Sequence, residues 1–258
     1  MAFLNPDKVY MLNDIEINEK LIQDGSSLKP GMPLKLGRPE YITIHNTPDI
    51  NEAEGTNDAE QYARATLNGN MNGVSVHFYI DETGCWKLLR EDEMGYHAAD
   101  GADGPGNSRS LAIEIIMDGS GDLSDVGAED RGAALAAALL HKYDLGIDRL
   151  KTHRDWYPKK YCPAYILPHW DAFRKKVEYH LETLKAAERE KAPGTNLYRV
   201  QIGAFRSREN AEACAEKARR AGFEAIVTTA VRGDVDGDGQ VSAEDAREAL
   251  RIATGLEK

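Results

Sequence analysis

Cysteine is scarce in this chain: three thiols, at positions 85, 162 and 214, stand in 258 residues. Three cannot all pair, and none forms a CxxC, which argues against a disulfide framework. Positive charge is also in short supply, with 32 Lys and Arg against 43 Asp and Glu and a net charge of −11. That balance argues against nucleic acid as a partner, because phosphate binding needs clustered cations. No apolar run is long enough for a membrane span. The opening MAFLNPDKVYMLNDIEI has neither a basic n-region nor a continuous apolar h-region, so no signal peptide is visible. The chain is then expected to be made in the cytosol and to leave by other means, or to be a trimmed form.

What remains is the composition of a soluble globular protein, 41% hydrophobic and 29% charged, long enough for one ordinary domain and something smaller. Along residues 1–183, β-rich stretches alternate with helical ones. YITIH (41–45), GVSVHFYI (73–80), CWKLLR (85–90) and LAIEIIM (111–117) read as strands. Residues 58–69, 129–146 and 168–190 carry helical spacing, and GADGPGNSRS (101–110) reads as a Gly-rich loop. The expected class is α/β, a central mixed sheet flanked by helices. Residues 184–196 lose apolar periodicity and break at Pro193-Gly194, as a frayed helix end and linker would. Residues 197–231 read as a small βαβ unit, and 232–258 as an acidic, EF-hand-like loop followed by a helix.

The segment THRDWYPKKYCP (152–163) sets His153 nine positions before Cys162. Cys162 could be a buried apolar thiol, a nucleophile or a metal ligand. His45 ends a predicted strand, where an open α/β sheet presents side chains to a crevice; alone, it could equally be a hydrogen-bonded structural histidine. Together, two imidazoles and one thiolate form a known zinc set with an open fourth position. No local pair such as HExxH accompanies them, so spacing alone is a weak signal. Of the remaining histidines, His141, His169 and His180 lie in helical stretches and read as structural or solvated, and His77 reads as structural.

The order of the motifs carries more. YITIHNT (41–47), VSVHFYID (74–81), YHAAD (96–100), NSRSLAIEI (107–115) and THRDWYPKKYCP (152–163) together resemble the zinc-dependent type-2 N-acetylmuramoyl-L-alanine amidases. That family includes phage endolysins and is related to peptidoglycan recognition proteins. The resemblance spans residues 38 to 175 and implies a zinc hydrolase that cuts the amide between N-acetylmuramic acid and L-alanine in peptidoglycan. It implies His45, His153 and Cys162 as zinc ligands, Glu114 and Lys160 as catalytic groups, and His97 and Asn107 at the substrate groove. Glu114 interrupts the apolar run LAIEIIM, where a buried charge is costly without a partner such as a metal site; the alternative is an edge-strand carboxylate facing water. Lys160 suits stabilisation of an oxyanion by a point charge, against the alternative of a solvated loop lysine. Some family members carry Tyr where Val76 stands and lack the Glu, so this chain resembles the Glu-dependent form.

The tail carries two further resemblances. YRVQIGAF, an Ala-rich helix and RAGFEAIV resemble one repeat of the peptidoglycan-binding SPOR family, which usually has two; a lone repeat suggests self-association or packing on the catalytic domain. DVDGDGQVSAED (234–245) places Asp234, Asp236, Asp238, Gln240 and Asp245 at calcium-loop positions with Gly239 at the sharp turn. With the helix after it, this resembles half of a type I dockerin, and one half leaves cohesin docking doubtful. The expected arrangement is a zinc amidase acting on the cell wall, with structural calcium in its tail. Three alternatives are a non-catalytic recognition module, a cytosolic wall-recycling amidase and a scaffold-docked polysaccharide enzyme.

Overall fold

The structure, a computed structural model, describes residues 4–48, 58–191 and 207–221, together with positions 225, 227, 243 and 246. The chain divides into two compact units, Met1–Thr195 and Asn196–Lys258. In the first unit the strands are β1 (Lys8–Leu12), β2 (Ile15–Glu19), β3 (Tyr41–Thr47), β4 (Phe78–Ile80), β5 (Cys85–Lys87), β6 (Ser110–Ile116) and β7 (Leu150–Thr152). Its helices are α1 (Asp58–Leu67), α2 (Pro105–Arg109), α3 (Leu123–Lys142), α4 (His153–Trp156) and α5 (Trp170–Lys191). The strands form one mixed sheet in the order β1-β2-β5-β4-β6-β3-β7. Helix α6 (Arg208–Arg220) belongs to the second unit. The SPOR-like strands and the calcium-loop residues Asp234, Asp236, Asp238, Gln240 and Asp245 lie outside the described residues.

Alternation along the central strands sorts side chains onto two faces. Ile42 and Ile44 of β3 and Leu111, Ile113 and Ile115 of β6 join Leu135 and Leu139 of α3 and Phe173 and Val177 of α5 in the larger core. Helix α3 sits so close to the sheet that a side chain added at Gly132 would collide with Ile115. Ala112 and Ile116 face the other way, into a smaller core with Ala59 and Ala63 of α1 and Tyr79 and Trp86. Glu114 lies between Ala112 and Ile116 on that second face.

Three expectations need correction. The β1–β2 hairpin is not foreseen in the sequence because only Ile15 and Ile17 are buried, while Val9 and Met11 are 52% and 59% exposed; it turns at Asn13, with φ 52°, a conformation Asn tolerates. The expected strand 73–80 pairs only over Phe78–Ile80. Helix α5 ends at Lys191, in keeping with the helical spacing over 168–190, so the linker expected over 184–196 is helical at its start. Leu184 is the last α5 residue packed on the core, and the Ala-, Glu- and Lys-rich turns beyond it stay helical through propensity.

His77 shows how the second face is tied down. It is fully buried, accepts the Ala112 N–H at Nδ1 (3.0 Å) and donates from Nε2 to the Glu93 carbonyl (2.9 Å). Burial drives its pKa down from 6.5 to about 4. The unfolded chain therefore takes up this proton first as pH falls. The stability His77 contributes is whole above about pH 6.5 and is lost as pH falls toward about 4, by about 3 kcal/mol. Denaturant midpoints followed across that window, with metal removed by chelation, should decline. His77→Gln should flatten part of the decline; an unchanged slope would assign it to other groups.

Candidate metal centre

Strands β6, β3 and β7 run parallel, so their C-terminal ends share one edge of the sheet, where such sheets place their sites. His45 of β3 stands directly opposite Glu114 of β6 in the register, and both side chains point to the second face. Thr152, the last residue of β7, pairs with Ile44, so His153 emerges beside His45. The two imidazole rings lie 4.7 Å apart.

The local sequence T-H-R-D fixes His153. Thr152 and Asp155 form a reciprocal capping box: the Asp155 N–H donates to Thr152 Oγ1 (3.2 Å), and the Thr152 N–H to Asp155 Oδ2 (2.6 Å). This starts α4 at His153. The chain then leaves as a loop and returns, with the Arg154 N–H donating to the Cys162 carbonyl at 3.1 Å. The nine-residue interval is thus one helical turn and a loop folded back onto it. Beyond the loop, Asn46 Oδ1 accepts the N–H groups of Tyr165 (3.1 Å) and Ile166 (3.2 Å), and Asn46 Nδ2 donates to the Ile115 carbonyl (3.2 Å). The residue next to His45 therefore fastens the Cys162 segment to the sheet.

His45, His153 and Cys162 are all buried, and their donor atoms lie within 4.8 Å of one another. His45 Nδ1 is 3.7 Å from Cys162 Sγ and 3.9 Å from Glu114 Oε1. A tetrahedral zinc, with bonds of about 2.0 Å to nitrogen and 2.3 Å to sulfur, sets such atoms about 3.5 Å apart, so the spacing fits. His153 Nε2 and Glu114 Oε2 are buried without a hydrogen-bond partner, as expected of atoms that would face a cation.

The electrostatics favour a metal over protons. Burial, then the neighbouring His97 and His153, holds His45 well below its usual pKa. Burial and the Lys160 charge lower His153. Both imidazoles are therefore neutral, as ligands must be. Burial, with Glu114 adding to it, pushes the Cys162 thiol up to about 12. An entering cation would displace that proton. Burial raises Glu114 to about 8, opposed by Lys160. Lys160 is exposed at the rim, yet its charge acts on all four groups.

His97 and Asn107 are placed differently from the expectation of a substrate contact. His97 is 6% exposed, and its Nδ1 lies 3.1 Å from His45 Nε2. Asn107 is 3% exposed, and its Oδ1 accepts the N–H groups of His97 (2.9 Å) and Ala98 (2.8 Å). Its amide donates to the Gly101 carbonyl at 3.1 Å. The Asn107 amide is thus used inside the fold, where it orders the segment that carries His97. The stretch expected as a plain loop contains α2, whose Gly106 and Asn107 N–H groups reach Asp100 at 2.6 and 3.2 Å. Residues that the sequence alone does not single out are Asn46, the Thr152–Asp155 pair and Trp156, whose indole donates to Thr43 Oγ1 at 2.8 Å. Only the capping box had a legible signal. His141 and His169 pair with Glu188 (3.0 Å) and Glu129 (2.6 Å), outside the centre.

The family profile of the N-acetylmuramoyl-L-alanine amidases matches residues 35–165, from before β3 to just beyond Cys162. The chain belongs to this amidase family. A SPOR domain profile matches residues 182–229 and 194–255. Similar sequences include the N-acetylmuramoyl-L-alanine amidase CwlH of Bacillus subtilis (strain 168), 33% identical over 159 residues, 62% of this chain and 60% of that relative. XlyB of the same strain is 36% identical over 144 residues, covering 55% of this chain and 43% of that one. The match thus spans 60% and 43% of these curated relatives' length. The catalytic domain of XlyA overlays with a TM-score of 0.54 at 33% identity, over 62% of this chain and 98% of that structure. PlyL gives 0.55 at 31%, over 63% and 97%. The mixed sheet flanked by helices is the α/β fold of these catalytic domains. Among the described residues, no helix is long and apolar enough to cross a membrane.

Proposed function

We propose that this chain hydrolyses the amide bond between N-acetylmuramic acid and the L-alanine of the peptidoglycan stem, with His45, His153 and Cys162 holding a zinc ion. The observation that carries the reading is the buried two-imidazole, one-thiol cluster with the Glu114 carboxylate beside it on the same face. A zinc ion bound there supplies Lewis acidity toward the scissile carbonyl and makes water acidic enough to attack near neutral pH. Glu114 takes the proton of the attacking water. As the carbon–nitrogen bond breaks, it returns that proton to the leaving amine of L-alanine. Its burial suits this task, since a carboxyl raised toward about 8 holds a proton in transit where an exposed one would not. Lys160 places a positive charge at the rim, toward the oxygen that becomes negative.

Digestion of purified sacculi tests the reading. New N-terminal alanine is expected, without new reducing sugar; reducing ends without alanine would mark a glycosidase. The buried Cys162 favours this over a recognition module without catalysis, in which the thiol ligand is typically lost.

The division of labour is proposed as residues 1–183 for catalysis and 184–196 as connector, with wall binding by a SPOR-like unit over 197–231. Supporting it is the SPOR match across 182–229 and 194–255. Site of action is the cell wall, and self-association through the SPOR-like unit is part of the same proposal. Calcium at Asp234, Asp236, Asp238, Gln240 and Asp245 rests on the spacing alone, in a stretch the longer SPOR match also covers. Deleting residues 197–258 should leave turnover of a small soluble muropeptide within a few fold and weaken action on intact sacculi. Loss of soluble-substrate turnover in a folded truncation would place part of the active site in the tail. Calcium titration of the full chain, absent from the truncation, checks the loop.

A further inference from the structure

The segment Tyr96–Ala98 reaches the centre through His97. The His97 ring reaches His45, with Nδ1 3.1 Å from His45 Nε2 and the rings perpendicular at 5.1 Å. The His153 ring lies 4.7 Å from that of His45, with its buried Nε2 unpartnered. Asn107 holds this segment through the N–H groups of His97 and Ala98.

Donor and acceptor logic then assigns each ring nitrogen. His97 Nε2 is buried without a hydrogen-bond partner, while His97 Nδ1 meets His45 Nε2 at 3.1 Å. A ligand nitrogen needs its lone pair, so with His45 Nδ1 turned to the cluster the His97 Nδ1 is the acceptor of the pair. His45 Nε2 must then be the donor to His97, which leaves the lone pair of His45 on Nδ1. That is the atom 3.7 Å from Cys162 Sγ and 3.9 Å from Glu114. His153 Nε2 is likewise buried without a hydrogen-bond partner, so a lone pair there is left for a cation. Both imidazoles thus aim an unprotonated nitrogen at one point.

The geometry points to His97 as a positioning residue for the metal centre: it sets the tautomer and ring angle of His45, with Asn107 fixing the backbone that carries His97. This rests on the proposed metal reading of His45, His153 and Cys162. It moves His97 from the substrate side to a partner of a ligand, a class of contact whose loss typically costs 10–100-fold in metal affinity or activity.

The test is zinc affinity in the full chain, by competition with a chromogenic chelator, alongside nitrogen-15 shifts of the histidines in the metal-free protein. His97→Leu removes the acceptor and should weaken zinc by about 10–100-fold. His97→Asn, which can set a carbonyl oxygen near the lost Nδ1, should recover most of it. In the parent, metal-free His45 should be protonated on Nε2, and in His97→Leu it should populate both tautomers. Unchanged zinc affinity in His97→Leu overturns the inference, all the more if KM alone rises, as a substrate contact would require. Should His97→Leu fail to fold, a parent His45 protonated on Nδ1 overturns it without any variant. A parent chain that binds no zinc is a different failure, that of the metal reading itself.

Discussion

Cys162→Ala is expected to lose bound zinc and hydrolytic turnover together. Four-ligand zinc sites are worth about 10–16 kcal/mol, so one ligand corresponds to about 3 kcal/mol, on the order of 10²-fold in affinity. The loss should be specific to the metal. The thiol sits in a pocket lined by His45 and Glu114, and its removal leaves the strands and the α3–α5 core untouched. Metal analysis after gel filtration, with the thermal midpoint of the metal-free protein as control, separates loss of a ligand from loss of the fold. Full zinc occupancy in Cys162→Ala would show that the thiol is not a ligand.

Glu114→Gln should lower turnover of a soluble muropeptide by about 10²–10⁴-fold while zinc stays bound. Gln keeps the size and one acceptor oxygen but cannot carry the proton from water to the departing amine. Lys160→Ala should also slow turnover, by a different route, and the pH profile tells the two apart. A general base must be ionised to act, so activity falls on the acid side as Glu114 becomes protonated. That limb should vanish in Glu114→Gln. Lys160 lowers the Glu114 pKa, so Lys160→Ala should keep the limb and displace it toward higher pH. Near-normal turnover in Glu114→Gln would transfer water activation away from this carboxylate.

The residues proposed to bind zinc or react were legible because their chemistry is written in residue type. A charged residue inside LAIEIIM, a histidine at a strand end and a thiol after an aromatic-rich loop each stand where packing alone would favour a different side chain. Sheet-forming β3 and β6 were legible for a related reason, since fully buried strands read as apolar runs. What was not legible depends on contacts between distant segments. The place of His97 follows from a backbone held by Asn107, and that of the Cys162 loop from Asn46; neither interaction has a spacing rule. The first hairpin escaped notice because its outer strand presents Val9 and Met11 to solvent, where alternation carries no signal. Helix α5 outran its apolar pattern because Ala, Glu and Lys sustain a helix without a core beneath it.

The register that sets His45 opposite Glu114 also determines where this chain can gain or lose residues. A deletion of a single residue within Ser110–Ile113 would draw each later side chain of β6 one step along the strand. Because successive residues face opposite ways, Glu114 would then enter the apolar layer that Ile113 occupies, and Ile115 would stand opposite His45. The same deletion within 118–121, between β6 and α3, shortens an exposed turn and leaves the pairing of β3 with β6 intact. Length variation in this catalytic domain is therefore expected to gather in its turns, while the seven rungs from Tyr41–Ser110 to Thr47–Ile116 keep a fixed count.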